Sequence, residues 1–259
     1  MSRDTERVVQ TVVRSEDKFL LAKRTDDSYW EFMGGKIKTN ESLKHAAIRE
    51  LNEETDLELN ESDVKKFREG KSYTSKADSR YSLNPVLIDI NEEKTQKISK
   101  EGLSNEHTDF CWIELNEFFD YDTLGQFQAL ENLGIVNGDV AISIPVRDNK
   151  VLILERSESS SSSGYWNFPG GKIEDETREK AAIRELEEET SLKGEITDSA
   201  RPYIGNGELG YWRIYPFLVD AEGKVELNDE HSDFRWIRPE EIENLETLGT
   251  GKALEILDI

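Results

Sequence analysis

Six glutamates fall into two sets with the same spacing. Glu50, Glu53 and Glu54 lie in Arg49-Glu50-Leu51-Asn52-Glu53-Glu54, and Glu185, Glu188 and Glu189 lie in Arg184-Glu185-Leu186-Glu187-Glu188-Glu189. Positions i, i+3 and i+4 share one face of a helix, so each set projects three carboxylates to one side. Bare, they would repel one another and some would take up protons. Magnesium or manganese relieves that repulsion by accepting oxygen ligands while keeping several waters, and it brings phosphates with it. A glycine pair precedes each set, Gly34-Gly35 and Gly170-Gly171, where backbone without side chains can approach a metal or phosphate closely. Glu41 and Glu176 stand eight residues ahead of Arg49 and Arg184, and pairing between them would pin the loop to the helix. One acidic helix face in so acidic a chain reads as solvated surface. Two copies in register, with matching residues on both sides, decide for metal chemistry.

The flanking sequence repeats as well, which makes the chain two copies of one module. ERVVQTVV and FLLAKR around Ser15-Glu16-Asp17-Lys18, and DVAISIPV and VLILER around Arg147-Asp148-Asn149-Lys150, read as β-hairpins. A Tyr-Trp pair, the glycine turn and an Ala/Leu-rich helix follow in each copy. YSLNPVLIDI and YWRIYPFLVDA read as later strands, then Glu106-His107 and Glu230-His231 ahead of Trp112 and Trp236, then the short helices LGQFQALENL and LGTGKALEIL. The expected domains are 1–134 and 135–259. The short join at Gly134, Asn137 and Gly138 predicts an intramolecular pseudo-dimer. The serine run Ser159–Ser163 in the second copy reads as a loop tip, or as a flap over the second site.

Bulk properties narrow the function. With 259 residues and 36% hydrophobic content, the chain supports two compact cores. It carries no apolar run of membrane-spanning length, and MSRDTERVVQ lacks a signal-peptide segment. The single cysteine, Cys111, excludes an internal disulfide framework, and a cytoplasmic location is expected. A net charge of −22, from 55 acidic and 33 basic residues, disfavours binding of a nucleic-acid duplex. Small phosphates are repelled too, unless cations bridge the charge.

Both segments resemble the box of the Nudix hydrolases, G-x5-E-x7-R-E-U-x-E-E-x-G-U, with U a bulky apolar residue, and the likeness extends over nearly the whole chain. It implies an α/β fold: two tandem α/β/α sandwiches, each with a mixed sheet and a loop–helix–loop metal site. It implies hydrolysis of a nucleoside triphosphate, in the manner of the MutT-like members, or of a nucleoside diphosphate derivative, with Mg²⁺ or Mn²⁺. The metal ligands carried over are Glu50, Glu53, Glu54 and Glu106, and Glu185, Glu188, Glu189 and Glu230. Glu53, Glu54, Glu106, Glu188, Glu189 and Glu230 are the candidates for catalysis, with Arg49 and Arg184 beside them. Trp30, Phe32, Gly34 and Gly35, and Trp166, Phe168, Gly170 and Gly171, are candidate substrate contacts, the aromatics for stacking or for core.

Each copy departs from the pattern. Met33 replaces the usual proline in the first, and the loop from Gly171 to Glu176 is one residue short in the second. Asp56 and Ser191 stand where the family has glycine, at a place where helices end left-handed. The competing functions are a nucleotide-binding sensor, or a chain with one catalytic and one non-catalytic half. His107 and His231 read as partners of the neighbouring glutamates or as structural hydrogen bonds, and Cys111 as packed core.

Overall fold

The computed structural model describes residues 5–75, 80–123, 125–160, 162–207, 210–247 and 249–259. The chain divides into two compact units, Met1–Val136 and Asn137–Ile259.

In the first unit the strands are β1 (Glu6–Ser15), β2 (Lys18–Arg24), β3 (Trp30–Glu31) and β4 (Gly34–Lys36). Helix α1 (Leu43–Thr55) follows, then β5 (Lys66–Glu69), β6 (Tyr73–Thr74), β7 (Tyr81–Asp89), the short α2 (Glu92–Thr95), β8 (His107–Ile113) and α3 (Phe127–Asn132). The sheet runs β3-β2-β1-β7-β5, with β8 on β2, β4 on β1 and β6 on β7. β1 and β7 pair in parallel while β1 and β2 form an antiparallel hairpin, so the sheet is mixed. A parallel pair needs a crossover, and α1 lies on the chain between β1 and β7.

The second unit repeats the plan with β9 (Val136–Arg147), β10 (Lys150–Arg156), β11 (Trp166–Asn167), β12 (Gly170–Lys172), α4 (Arg178–Thr190), β13 (Lys193–Ser199), β14 (Tyr203–Gly207), β15 (Gly210–Glu222), β16 (His231–Ile237) and α5 (Thr250–Leu257). Its order is β11-β10-β9-β15-β13. The hairpin turn at Asp148-Asn149 has φ of 51° and 58°, the double left-handed geometry that matches strand twist and that Asp and Asn tolerate.

Alternation along the strands feeds two apolar layers per unit, one on each face of the sheet. Ala141, Leu152 and Leu154 pack under Ala181, Ala182 and Leu186 of α4, while Ile142, Ile144, Val151 and Ile153 pack under Ala253 and Leu254 of α5. In the first unit Val9, Val13, Leu20 and Ala22 meet Ala46, Ala47 and Leu51 of α1. Phe127 and Leu130 of α3 are buried as well, and Phe127 stacks edge-on against Phe118 at 6.0 Å. The result is helix on sheet on helix, twice. Among the described residues no helix is long and apolar enough to cross a membrane.

Candidate active site

α1 and α4 carry the repeated glutamates, and the sequence fixes where each helix starts and stops. Ser42 and Thr177 cap the N-termini, accepting from the backbone N–H of His45 and Lys180. Asp56 and Ser191 close the C-termini in the left-handed region, at φ 54° and 59°. The same conformation is kept where glycine is missing.

The arginine pin forms in both units. Arg49 Nε donates to Glu41 at 2.8 Å and Arg184 Nε donates to Glu176 at 2.9 Å. Their Nη2 atoms reach the carbonyls of Lys36 and Lys172 at 3.0 and 3.2 Å. The residue missing from the second loop therefore leaves the geometry untouched. The first loop spends its extra residue on a local turn in which Asn40 sits at φ 65° and Lys38 N–H donates to Glu41.

The glycine pair has two separate tasks. A Cβ on Gly170 would stand 2.5 Å from the Ala141 carbonyl oxygen, so this glycine lets the turn lie against β9. A Cβ on Gly35 would stand 2.5 Å from the Glu50 carboxyl carbon, and one on Gly171 would strike the Glu185 carboxylate. The second glycine thus makes room for the first glutamate of each helix.

The three helical carboxylates do not share one environment. Glu54 and Glu189 are buried at 4% exposure, Glu50 and Glu185 are half-buried, and the Glu53 and Glu188 side chains are more than half exposed. Burial, then the charges of Glu50, Glu31 and Glu106, pushes Glu54 up to about 9, against the Gly34 N–H that favours its ionised form. Burial also pushes Glu189 up to about 8, with Glu185 and Glu230 adding to it; Gly170 N–H, donating at 3.1 Å, and Arg156 oppose the shift. Glu54 and Glu189 are therefore the centres of the two clusters, and the off-helix glutamates Glu106 and Glu230 face them. Thr25 N–H and Ser157 N–H hold the backbone carbonyls of Glu106 and Glu230 at 2.9 and 2.8 Å. A β-bulge at Lys23/Arg24 and at Glu155/Arg156 turns each strand end toward that contact.

Among the described residues no three acidic, histidine or cysteine side chains close into a metal-holding group. Arg49 Nη1 instead spans Glu50 and Glu53 at 2.7 and 3.3 Å, and Arg184 Nη1 spans Glu185 and Glu188 at 2.7 and 3.1 Å. The donor set nonetheless fits a divalent cation. Glu54 Oε2 is buried with no hydrogen-bond partner, and an unsatisfied carboxylate oxygen amid further carboxylates is a costly arrangement that a cation relieves.

Glu31, in the sequence Tyr29-Trp30-Glu31-Phe32, escaped the motif because it lies outside the box. It acts on Glu54, and Arg24 Nη1 and His107 Nε2 hold it at 3.1 and 3.3 Å. Asn167 stands at the matching place in the second unit. His107 thus bonds to Glu31 rather than to Glu106, while His231 bonds to Asn228 at 3.1 Å and burial lowers it to about 4.

The aromatic candidates divide. Trp30 is half-buried, lies edge-on to Tyr121 at 5.2 Å, and lines a cavity of about 310 Å³ together with Tyr81, Glu31, Glu106 and Gln126, whereas Phe32 borders it with a ring only 3% exposed that packs on Phe118 at 6.1 Å. Trp166 and Phe168 are core residues, 5% and 1% exposed, and the Arg235 guanidinium covers the Trp166 ring at 4.3 Å. Cys111 is half-buried and its thiol is pushed up to about 11 by burial. Within the serine run, Ser161 lies outside the described residues; at its foot Ser157 Oγ donates to the Asp229 carbonyl at 2.9 Å.

The model of the NUDIX domain matches residues 4–133 and again 138–257. The chain belongs to the NUDIX family, with two domains in tandem. A CTP pyrophosphohydrolase of Escherichia coli is 33% identical over 109 residues, spanning 40% of this chain and 77% of its own length. A dihydroneopterin triphosphate diphosphatase of Haemophilus influenzae is 30% identical over 112 residues, or 41% of this chain and 71% of that one. Among solved structures, a MutT protein of Methanosarcina mazei is 27% identical, with a TM-score of 0.40, covering 46% of this NUDIX chain and 91% of its own. A MutT NUDIX hydrolase of Burkholderia pseudomallei is 24% identical, with a TM-score of 0.42, over 46% and 98%.

Proposed function

We propose that this chain hydrolyses a pyrophosphate bond in a nucleoside triphosphate or a nucleoside diphosphate derivative, using Mg²⁺ or Mn²⁺ at each of two sites. The carrying observation is the buried, unpartnered Glu54 oxygen beside Glu50 and Glu106, with Glu189, Glu185 and Glu230 repeating the set. The named activities of the relatives, hydrolases of a nucleotide and a pterin triphosphate, support the same reaction class.

Glu50, Glu54 and Glu106 would hold the cation in the first unit, with Glu53 as a further ligand. Glu185, Glu189, Glu230 and Glu188 would do so in the second. When bound, the cation neutralises phosphate charge and stabilises the oxygen that leaves. Of Glu53, Glu54 and Glu106, and of their counterparts Glu188, Glu189 and Glu230, one carboxylate would accept the proton of the attacking water. Arg49 and Arg184 keep the helix carboxylates oriented. The Gly34-Gly35 and Gly170-Gly171 backbones admit the phosphates. Trp30 would border the space for the remainder of the substrate, with Phe32 packed beneath it in the core.

Incubation with a nucleotide panel and Mg²⁺, with products identified, tests the reading. Hydrolysis should fall with Glu54→Gln or Glu189→Gln and vanish with both. Tight binding of one nucleotide without turnover would instead establish a sensor. Unequal rates from the two single variants would support a catalytic and a supporting half, which the exchange of Glu31 for Asn167 favours.

A further inference from the structure

The cavity of the first unit ends on a chain of side-chain amides whose orientation is fixed from its far end. Phe32 backbone N–H, an obligate donor, points at Gln126 Oε1 from 3.1 Å. Gln10 Nε2 donates to the same oxygen, and Tyr73 O–H donates to Gln10 Oε1 at 2.7 Å. Because Oε1 of Gln126 accepts twice, the other end of that amide is its NH₂ group, and a flip would set a donor against the Phe32 N–H. Gln126 lines the cavity with Trp30 and Tyr81, and among the described residues its NH₂ group makes no hydrogen bond, which leaves a donor at this wall. About 310 Å³ is at the small end of ligand pockets and matches a flat heterocycle.

The second unit keeps the tyrosine but neither glutamine, and the Tyr203 O–H donates to the Gly249 carbonyl instead. Strand register places Ile142 opposite Gly170 as Gln10 is opposite Gly34, and Tyr203 opposite Ile214 as Tyr73 is opposite Leu83. Thr250, after Gly249, replaces Gln126 after Gly125. Ile142, Trp166, Phe168 and Tyr203 are buried together in one apolar cluster, and Thr250 Oγ1 is buried with no partner.

We propose that Gln126 is the specificity-determining residue of the first unit. It donates Nε2–H to an exocyclic keto oxygen of the substrate's nucleobase, and the second unit has no corresponding base reader. Gln10, Tyr73 and the Phe32 N–H are its positioning groups. The inference rests on the nucleotide-hydrolase reading above.

The test uses the full chain carrying Glu188→Gln and Glu189→Gln, so that only the first unit turns over. It compares kcat/KM for UTP against CTP and for ITP against ATP, pairs that exchange a keto for an amino group. The keto substrates should be preferred. Gln126→Glu, which keeps the acceptor for Phe32 and replaces the donor by an acceptor, should cut the keto-to-amino ratio by at least about tenfold. Gln126→Leu should bring it toward one. Ratios unchanged in both variants would overturn the proposal. If this chain cleaves none of the four nucleotides, triphosphate hydrolysis by the first unit fails on its own, and calorimetric Kd values for the same pairs carry the same ratio test. A chain with Glu53→Gln and Glu54→Gln, active only through the second unit, should show no keto preference; a preserved preference there would refute the assignment to the first unit.

Discussion

Glu54 and Glu189 each meet opposing demands, because a carboxylate useful to a cation is held where a charge is costly. Their folded values, about 9 and about 8, lie above the ordinary 4.5. The folded protein therefore keeps protons that the unfolded chain releases. Stability from these groups is complete below pH 4.5 and drains away as pH rises through 8 and 9. In chelator, the melting temperature should fall by several degrees between about pH 6 and pH 9, and Mg²⁺ should restore it at the alkaline end. Glu54→Gln with Glu189→Gln should flatten that slope while removing turnover. A melting temperature independent of pH in the parent would count against the buried-carboxylate account. Gly35→Ala makes a steric prediction. The new Cβ meets the Glu50 carboxyl carbon, so the carboxylate must move, with activity at that site falling by about tenfold or more while overpacking costs about 1–3 kcal/mol.

At the level of elements, each box helix ends on a residue less suited to its conformation than glycine. Ser191 at φ 59° and Asp56 at φ 54° occupy the left-handed region, where Asp is tolerated better than Ser. Ser191→Gly should raise the denaturation midpoint by the equivalent of about 0.5–1 kcal/mol, and Asp56→Gly by less. Equal or negative shifts in urea titrations would show that the loops after α1 and α4 compensate. The box loops carry the complementary lesson. One lacks a residue, yet Arg49–Glu41 and Arg184–Glu176 are alike within 0.1 Å along Nε. The bidentate reach of arginine to a carboxylate and a backbone carbonyl absorbs the difference.

Across the whole molecule the net charge of −22 opposes the approach of an anionic substrate. With Mg²⁺ in excess, kcat/KM for a nucleoside triphosphate should rise as about 0.2 M potassium chloride screens that repulsion. A fall with salt would mean that the cation site already attracts the substrate more strongly than the surface repels it. The duplicated plan also predicts independence: silencing one unit should leave the KM of the other unchanged in steady-state kinetics.

The amino-acid sequence by itself determined the duplication, the hairpins and box helices and the arginine pins, which follow from local rules: the i, i+3, i+4 helix face, alternation in strands, turn chemistry and short-range charge pairing. The mixed-sheet α/β plan came instead from the resemblance of the two boxes to the Nudix family. It could not rank Glu50, Glu53 and Glu54, because burial depends on what packs over a helix, and only the folded chain places Glu54 inside and Glu53 outside. Glu31 was invisible to the motif for a related reason: it reaches Glu54 only through the pairing of β3 with β2 and the hold of Arg24 and His107. The same tertiary contacts separate Trp30, at a cavity wall, from Trp166, in a core. Nearly identical segments thus differ through their distant neighbours, Gln10 and Gln126 on one side, Ile142 and Thr250 on the other.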